Sequence, residues 1–289
     1  MEKIKVILDT DIGSDIDDSE CLAYLLCQER CDLVGVTTVS GEPIERAMLA
    51  SAIMKVAGKS VPIHPGAEKP LCAENRQPRA GQKEKLPNWE HDTDFVPYSA
   101  IEFLKDTILA NPGEITLLAI GPLTNIGILL SVYPEVIPAI KELVIMGGQF
   151  FLKEEFAEWN IRCDPYAAKL VFDSGIKMRC IGLDVTRQVT METKEFAEKF
   201  TSDILKPVYD FSEVWFRNST ISTFHDPLAA TVLFEDLCTF KKGTVTVDIL
   251  GNGEIPGGRT FFKEGDGNHY VADTVKPEEF FKHYFEITQ

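Results

Sequence analysis

Asp9-Thr10-Asp11-Ile12-Gly13-Ser14-Asp15-Ile16-Asp17-Asp18 places five carboxylates within ten residues, directly after a short apolar run. Like charges a few ångströms apart raise one another's pKa, so such a cluster is costly unless something neutralises it. A hard cation does so, because carboxylate oxygens are the ligands that Ca²⁺ and Mg²⁺ prefer. A solvated acidic turn capping the next helix accounts for one or two of these aspartates, not for five. The spacing also overlaps an EF-hand loop: positions 9, 11, 13, 15, 17 and 20 read Asp, Asp, Gly, Asp, Asp, Glu, with Ile16 at the hydrophobic place. Ser14 stands where that loop needs glycine, and a strand-like run precedes it where an EF-hand needs a helix. The stretch is half of a metal site whose other half must arrive from later in the chain.

His225-Asp226-Pro227-Leu228-Ala229 is the second anchor. Asp226 ahead of Pro227 suits a helix N-cap with proline in the first turn. In chemical terms Asp226 is a further oxygen ligand, and His225 is a group able to donate a proton near neutral pH. Trp89, Trp159, Trp215 and Phe224 could stack on a planar ring, although core or rim packing is the ordinary fate of an aromatic. Trp215 and Phe224 have the better positional case, lying just ahead of His225.

Positioning these groups takes an alternating framework. Apolar periodicity predicts strands over 4–8, 33–39, 61–63, 114–120, 143–146 and 178–183, with helices over 19–28, 44–56, 98–110, 121–132 and 164–173 between them. Residues 65–97 are the least regular stretch, with five prolines, and a loop of that length is usually functional or mobile. Beyond residue 191 the pattern turns helical to about 236. Residues 244–262 predict a small β-hairpin or meander, and 277–287 a closing helix. Strands alternating with helices imply right-handed crossovers, hence an α/β fold with an open, mainly parallel sheet flanked by helices, as one domain over 1–289. Ligands bind outside the carboxyl ends of such strands. That rule gathers the acidic loop, Gly41-Glu42, Ile120-Gly121, Glu158, Asn160 and Asp184 on one rim.

Composition narrows the partners. A formal net charge of −16 over 289 residues argues against nucleic acid and anionic membranes, which need a basic patch, and is compatible with a cation or a neutral ligand. Seven cysteines without a C-x-x-C pair fit free thiols in a reducing compartment. With neither a signal peptide nor an apolar run of membrane-spanning length, a cytoplasmic location is expected.

Taken in order, the motifs resemble the inosine/uridine-preferring nucleoside hydrolase family, which has a Rossmann-like fold. That family carries Asp-x-Asp-Pro-Gly-x-Asp-Asp after strand one, Gly-Pro-Leu-Thr-Asn, Met-Gly-Gly, Glu-Phe-Asn-x-x-x-Asp-Pro, Gly-Leu-Asp-Val-Thr and a late His-Asp-Pro-Leu-Ala. Here stand Asp9-Thr10-Asp11, Gly121 to Asn125, Met146-Gly147-Gly148, Glu158-Trp159-Asn160, Asp164-Pro165, Gly182 to Thr186 and His225 to Ala229. The resemblance covers nearly the whole chain and implies Ca²⁺-dependent hydrolysis of an N-glycosidic bond. Carried over residue by residue, Asp11 would bind the metal and act as general base toward the attacking water. Asp18 and Asp226 would complete the carboxylate ligands, and the backbone carbonyl of Ile120 would add another. Asp17, Glu158 and Asn160 would hold the ribose hydroxyls, with His225 near the leaving base. A homodimer or homotetramer is also implied.

The chain departs from that pattern in places. Asp-Ile-Gly-Ser-Asp-Ile-Asp-Asp is two residues longer than the common form, so Asp15 is an extra carboxylate that could displace Asp17 or Asp18 from its role. Ser40-Gly41-Glu42-Pro43 stands where relatives have Gly-Asn, leaving Glu42 as either a substitute sugar ligand or a helix-start charge. A Gly-Asn before the Glu-x-Asn segment and a His-Gly pair in the long loop are also absent. These changes fall on the sugar and base pocket and spare the metal site. The expected function is hydrolysis of a nucleoside or related N-riboside. Its rivals are a non-catalytic pentose or nucleoside binder that kept the metal, and a metal-dependent phosphohydrolase. The last lacks a Gly-rich phosphate cradle and clustered basic residues beside the site.

Overall fold

The apolar run that precedes the acidic loop becomes the central strand of the molecule. The computed structural model describes residues 3–152, 156–251 and 257–289. In chain order the strands are β1 (Ile4–Thr10), β2 (Cys31–Thr38), β3 (Ile63–Pro65), β4 (Ile115–Ala119), β5 (Glu142–Met146), β6 (Met178–Ile181), β7 (Thr190–Glu192), β8 (Ile221–Thr223), β9 (Cys238–Asp248), β10 (Arg259–Glu264) and β11 (His269–Val275). Nine of them form one sheet in the order β10-β9-β11-β6-β5-β4-β1-β2-β3. β1 pairs parallel with both β2 and β4. Both faces of the sheet are covered, as parallel sheets require: Val6 and Leu8 point into one core, and Ile7 into the other. The expected α/β architecture with a mainly parallel sheet is present.

Differences lie at the margins. The strand expected over 61–63 is shifted to Ile63–Pro65, because the Pro62 carbonyl accepts from Val36 N and sets the register of Ile63 against Val36. The long loop 65–97 contains a 3-10 helix, Gly81–Asn88. Between the helices Leu205–Trp215 and His225–Thr231 lies β8, which pairs antiparallel with β7 in a two-stranded sheet the helical pattern concealed. The C-terminal meander is larger than expected. β11 inserts between β9 and β6, antiparallel to the first and parallel to the second, and so joins the meander to the main sheet. Part of the expected hairpin, residues 252–256, lies outside the described residues. Among the described residues, no helix is long and apolar enough to cross a membrane.

Candidate active site

Strand order reverses between β1 and β4, and the crevice at such a switch point is where open parallel sheets bind ligands. A cavity of about 670 Å³ opens there. Asp11 enters it from the end of β1, Ile120 from the end of β4 and Met146 from the end of β5. Asp17 and Asp18 begin the helix Asp17–Cys27, which packs against the helix His225–Thr231 that carries Asp226. That contact brings the two sequence anchors together. One carboxylate oxygen each from Asp17, Asp18 and Asp226 lies within 4.8 Å of the others, and all three residues are buried.

Burial is the largest cause pushing the pKa of each of these carboxyls well above the ordinary range. Neighbouring carboxylates add to it: Asp15 and Asp18 act on Asp17, Asp11 on Asp18, and Asp17 with Asp18 on Asp226. Hydrogen bonds relieve little of this. Thr10 Oγ1 donates to Asp18 Oδ1, and Asp226 N donates to Asp17 Oδ2 at 3.3 Å. Asp15 is likewise pushed up, to about 7, by burial, while its Oδ1 accepts from Ile16 N at 2.6 Å. Asp9, behind the site, rises to about 7; Thr37 and Asn125 donate to its Oδ1 at 2.5 and 2.7 Å, and its Oδ2 is buried without a partner among the described residues. Clustered, dehydrated, mutually repelling oxygens are the donor set a hard divalent cation needs. Asp17, Asp18 and Asp226 fit such an ion, with Asp11 and the Ile120 carbonyl on the same cavity wall.

Asp11 lies outside the group of three. Burial raises its pKa against the opposing field of Arg46, and its Oδ2 accepts a hydrogen bond from Gln77 Nε2. Gln77 Oε1 in turn accepts from Trp159 Nε1, so one amide links the acidic loop, the long loop and the helix Trp159–Cys163. Gly41 allows this: a Cβ there would stand 2.5 Å from Gln77 O and 2.4 Å from Pro78 C. Arg46 is fully buried and fastens the loops from behind. Its Nε donates to Ser40 O at 3.1 Å and Gly41 O at 2.9 Å; its Nη1 donates to Asp11 O and, at 2.9 Å, to Ile12 O. Ser40 and Glu42 hold left-handed backbone (φ 68° and 60°) beside these contacts, a strain that packing elsewhere must support.

Glu158 caps the helix Trp159–Cys163, its carboxylate accepting from Asn160 N (2.9 Å), Gly148 N (3.0 Å) and Ile161 N (3.1 Å). Asn160 Nδ2 donates to Ile120 O at 2.7 Å, so the Ile120 carbonyl is shared with the amide beside it. His225 Nδ1 lies 2.6 Å from Thr186 Oγ1. Burial, with help from Arg187, pulls the imidazole down to about 4. Both effects favour the neutral ring.

The cavity gathers Asp11, Asp15, Asp17, Asp18, Ile120, Glu158, Asn160, Trp215, His225 and Asp226. Several expected residues are not brought to it: Asp184 accepts from Phe150 N at 2.8 Å and Phe151 N at 2.7 Å, and Trp89 donates to Asp210 at 2.9 Å. Glu42 faces the long loop, accepting from Ala80 N at 2.9 Å and Lys83 Nζ at 2.6 Å. Phe224 is fully buried among Phe200, Phe280, Phe281 and Tyr284. Gln77, Arg46 and the cavity-lining Arg76, Arg79 and Arg162 were not singled out from sequence, since no periodicity or motif marks residues that meet only when the long loop folds over the rim.

Residues 6–282 match the family model described as inosine-uridine preferring nucleoside hydrolase. Uridine nucleosidase 1 of Arabidopsis thaliana is 32% identical over 287 residues, covering 90% of this chain and 82% of that protein. Probable uridine nucleosidase 2 of Oryza sativa subsp. japonica is 32% identical over 280 residues, covering 86% and 79%. Among solved structures, a plant nucleoside hydrolase, the PpNRh1 enzyme, matches with a TM-score of 0.85 at 26% identity, over 99% of this chain and 98% of that one.

Proposed function

The chain belongs to the inosine-uridine preferring nucleoside hydrolase family of metal-dependent N-glycosyl hydrolases, and from that premise we propose that residues 1–289 act as one domain that uses Ca²⁺ to split a ribonucleoside into base and ribose. The observation that carries this reading is the buried group Asp17, Asp18 and Asp226, set in the same cavity as Asp11, Glu158, Asn160 and His225. Asp17, Asp18 and Asp226 would hold the ion, joined by Asp11 and the Ile120 carbonyl, which gives Asp17 to the metal rather than to the sugar. Bound there, Ca²⁺ neutralises the acidic wall and acidifies water at the site.

The residues of the chain supply the rest. Asp11, its carboxyl raised by burial and oriented by Gln77, takes the proton of the attacking water as general base. The water oxygen bonds to C1′ as the C1′–N bond breaks, and the bond's electron pair leaves with the base. Positive charge develops on the sugar, as in other glycosidic cleavages, and the surrounding carboxylates stabilise it. Glu158 and Asn160 hold the ribose hydroxyls, and Asp15 extends that wall. Where Thr186 Oγ1 donates to Nδ1, neutral His225 carries its hydrogen on Nε2 and gives the departing base a hydrogen bond, while the proton that completes the base comes from the attacking water by way of Asp11. Trp215 lines the same cavity and gives the base an apolar face.

Uridine and other pyrimidine nucleosides are the first substrates to try, since two relatives are named for uridine. Released reducing sugar is measured over a panel of nucleosides and related N-ribosides, with and without chelator. The expected outcome is turnover that chelation abolishes and that Asp11→Asn lowers by about 10²–10⁴-fold. Tight binding without turnover, or turnover indifferent to both treatments, overturns the reading. A homodimer or homotetramer is part of the same proposal, supported by the family likeness and by the prevalence of symmetric oligomers; sedimentation velocity checks it.

A further inference from the structure

The cavity has a second chemical character that cleavage of a neutral nucleoside does not call for. Arg76, Arg79 and Arg162 line it beside the carboxylates. Two come from the long loop and the third from the helix Trp159–Cys163, and the Trp159–Gln77 hydrogen bond brings those segments side by side. Arg76 and Arg162 both act on the Cys163 thiol against the upward push of its burial, so their charges are felt at one point.

These guanidiniums are barely engaged. Arg76 has a 3.7 Å ion pair with Glu74, whose side chain is 79% exposed, and such a pair contributes little. Arg79 and Arg162 make no ion pair among the described residues. Among the described residues the Nε groups of Arg76 and Arg162, like that of Arg259, are buried without an acceptor, which is costly for a donor. Arg30, Arg179, Arg217 and Arg259, by contrast, each pair with a carboxylate: Glu235, Glu142, Glu84 and Asp248. The clustered basic residues that the linear sequence lacks beside the site are therefore assembled there by folding. Planar guanidiniums in a half-enclosed wall suit oxyanions, which they bind through paired hydrogen bonds.

We infer that the substrate is an N-riboside bearing an oxyanion, a phosphate ester or a carboxylate, seated on Arg76, Arg79 and Arg162; this rests on the hydrolase reading above. Arg162 follows the sugar-binding Asn160 by two residues, and Gln77, between the other two arginines, touches Asp11. The anion thus belongs at the sugar end, where a 5′-phosphate is its source; a carboxylate on the base is the other. The reaction keeps its balance: water gives its oxygen to C1′ and a proton to the departing base, and any phosphate ester stays intact.

The test compares kcat/KM for uridine, uridine 5′-monophosphate and orotidine on the full chain with Ca²⁺, in the wild type and in Arg79→Ala and Arg162→Ala. One anionic substrate should exceed uridine by about tenfold or more, and Arg162→Ala should collapse that ratio. Preference for the monophosphate assigns the anion to the sugar, and preference for orotidine assigns it to the base. Uridine hydrolysed as well as both, or a preference untouched in both variants, overturns the inference and leaves the nucleoside hydrolase reading standing. No turnover of any N-riboside removes that reading and this one with it. Thermal unfolding of each variant separates loss of the subsite from loss of the fold.

Discussion

Asp226 illustrates how a single residue can cost the fold what it contributes to chemistry. Its carboxyl is buried beside Asp17 and Asp18, with burial and both neighbours opposing its ionisation. Asp226→Asn removes one member of that repulsion and one ligand. The variant should melt higher than the wild type when both are stripped by chelator, and should lose the stabilisation that Ca²⁺ gives. Wild type at a hundredfold excess of ion over its Kd should gain about 2.7 kcal/mol, several degrees in a chain of this size. Scanning calorimetry with chelator and with Ca²⁺ reads both effects; a lower metal-free Tm for the variant would count against the electrostatic argument. The carboxylates themselves were legible in the sequence, because five in ten residues have no ordinary structural use. Their division of labour was not: Asp17, which the resemblance gave to the sugar, stands with Asp18 and Asp226, while Asp11 stands apart on Gln77. That grouping depends on where the helix Asp17–Cys27 begins, and spacing alone does not fix a helix start.

Elements meet in this protein through one buried cation. Arg46, on the helix Pro43–Val56, donates to carbonyls of Ser40 and Gly41 in its own loop and of Asp11 and Ile12 in the acidic loop. Arg46→Met keeps the apolar stem and leaves those carbonyls without their donors. It should cost about 3 kcal/mol or more in urea unfolding, and the surviving folded enzyme should lose kcat through the loosened Asp11. Gln77→Ala should lower kcat at least about tenfold and weaken Ca²⁺-induced stabilisation far less than Asp226→Asn does, since Gln77 touches the proposed base Asp11 and none of the group of three carboxylates. Strands and long helices were legible at this scale because apolar runs repeat at the sheet and helix periods. The helix Trp159–Cys163 was not, since five residues are too few to show a period, and its start is set by Glu158 acting as a cap. Glu42 was readable in two ways, and Ala80 and Lys83 take its carboxylate for the long loop. Position before Pro43 could not reveal partners some forty residues away.

At the scale of the whole molecule, the parallel core of the sheet followed from alternation, but its far edge did not. β11 reaches back past β9 to pair with β6, and only tertiary packing decides such an insertion. His269 pins β11 to β9: its Nδ1 accepts from Val245 N at 2.8 Å, which requires the ring to be neutral there. Burial lowers its pKa from the usual 6.5, although the Phe172 carbonyl and Asp173 act the other way. The unfolded chain therefore takes up the proton first. Stability from this group is complete above about pH 6.5 and is lost as pH falls below it. Urea unfolding at about pH 7.5 and about pH 5.5 should show that loss, and His269→Gln should flatten the difference between the two. A slope unchanged by the substitution would assign the acid sensitivity to other groups. The placement of the group of three carboxylates, two near the start of the chain and one at residue 226, bears on biosynthesis. A chain emerges from the ribosome N-terminus first, so Asp17 and Asp18 are made long before Asp226 can stand opposite them. The group of three carboxylates cannot be complete until more than two hundred residues have been translated. β11, which lies between β9 and β6, follows later still, so the sheet reaches its final strand order only late in synthesis.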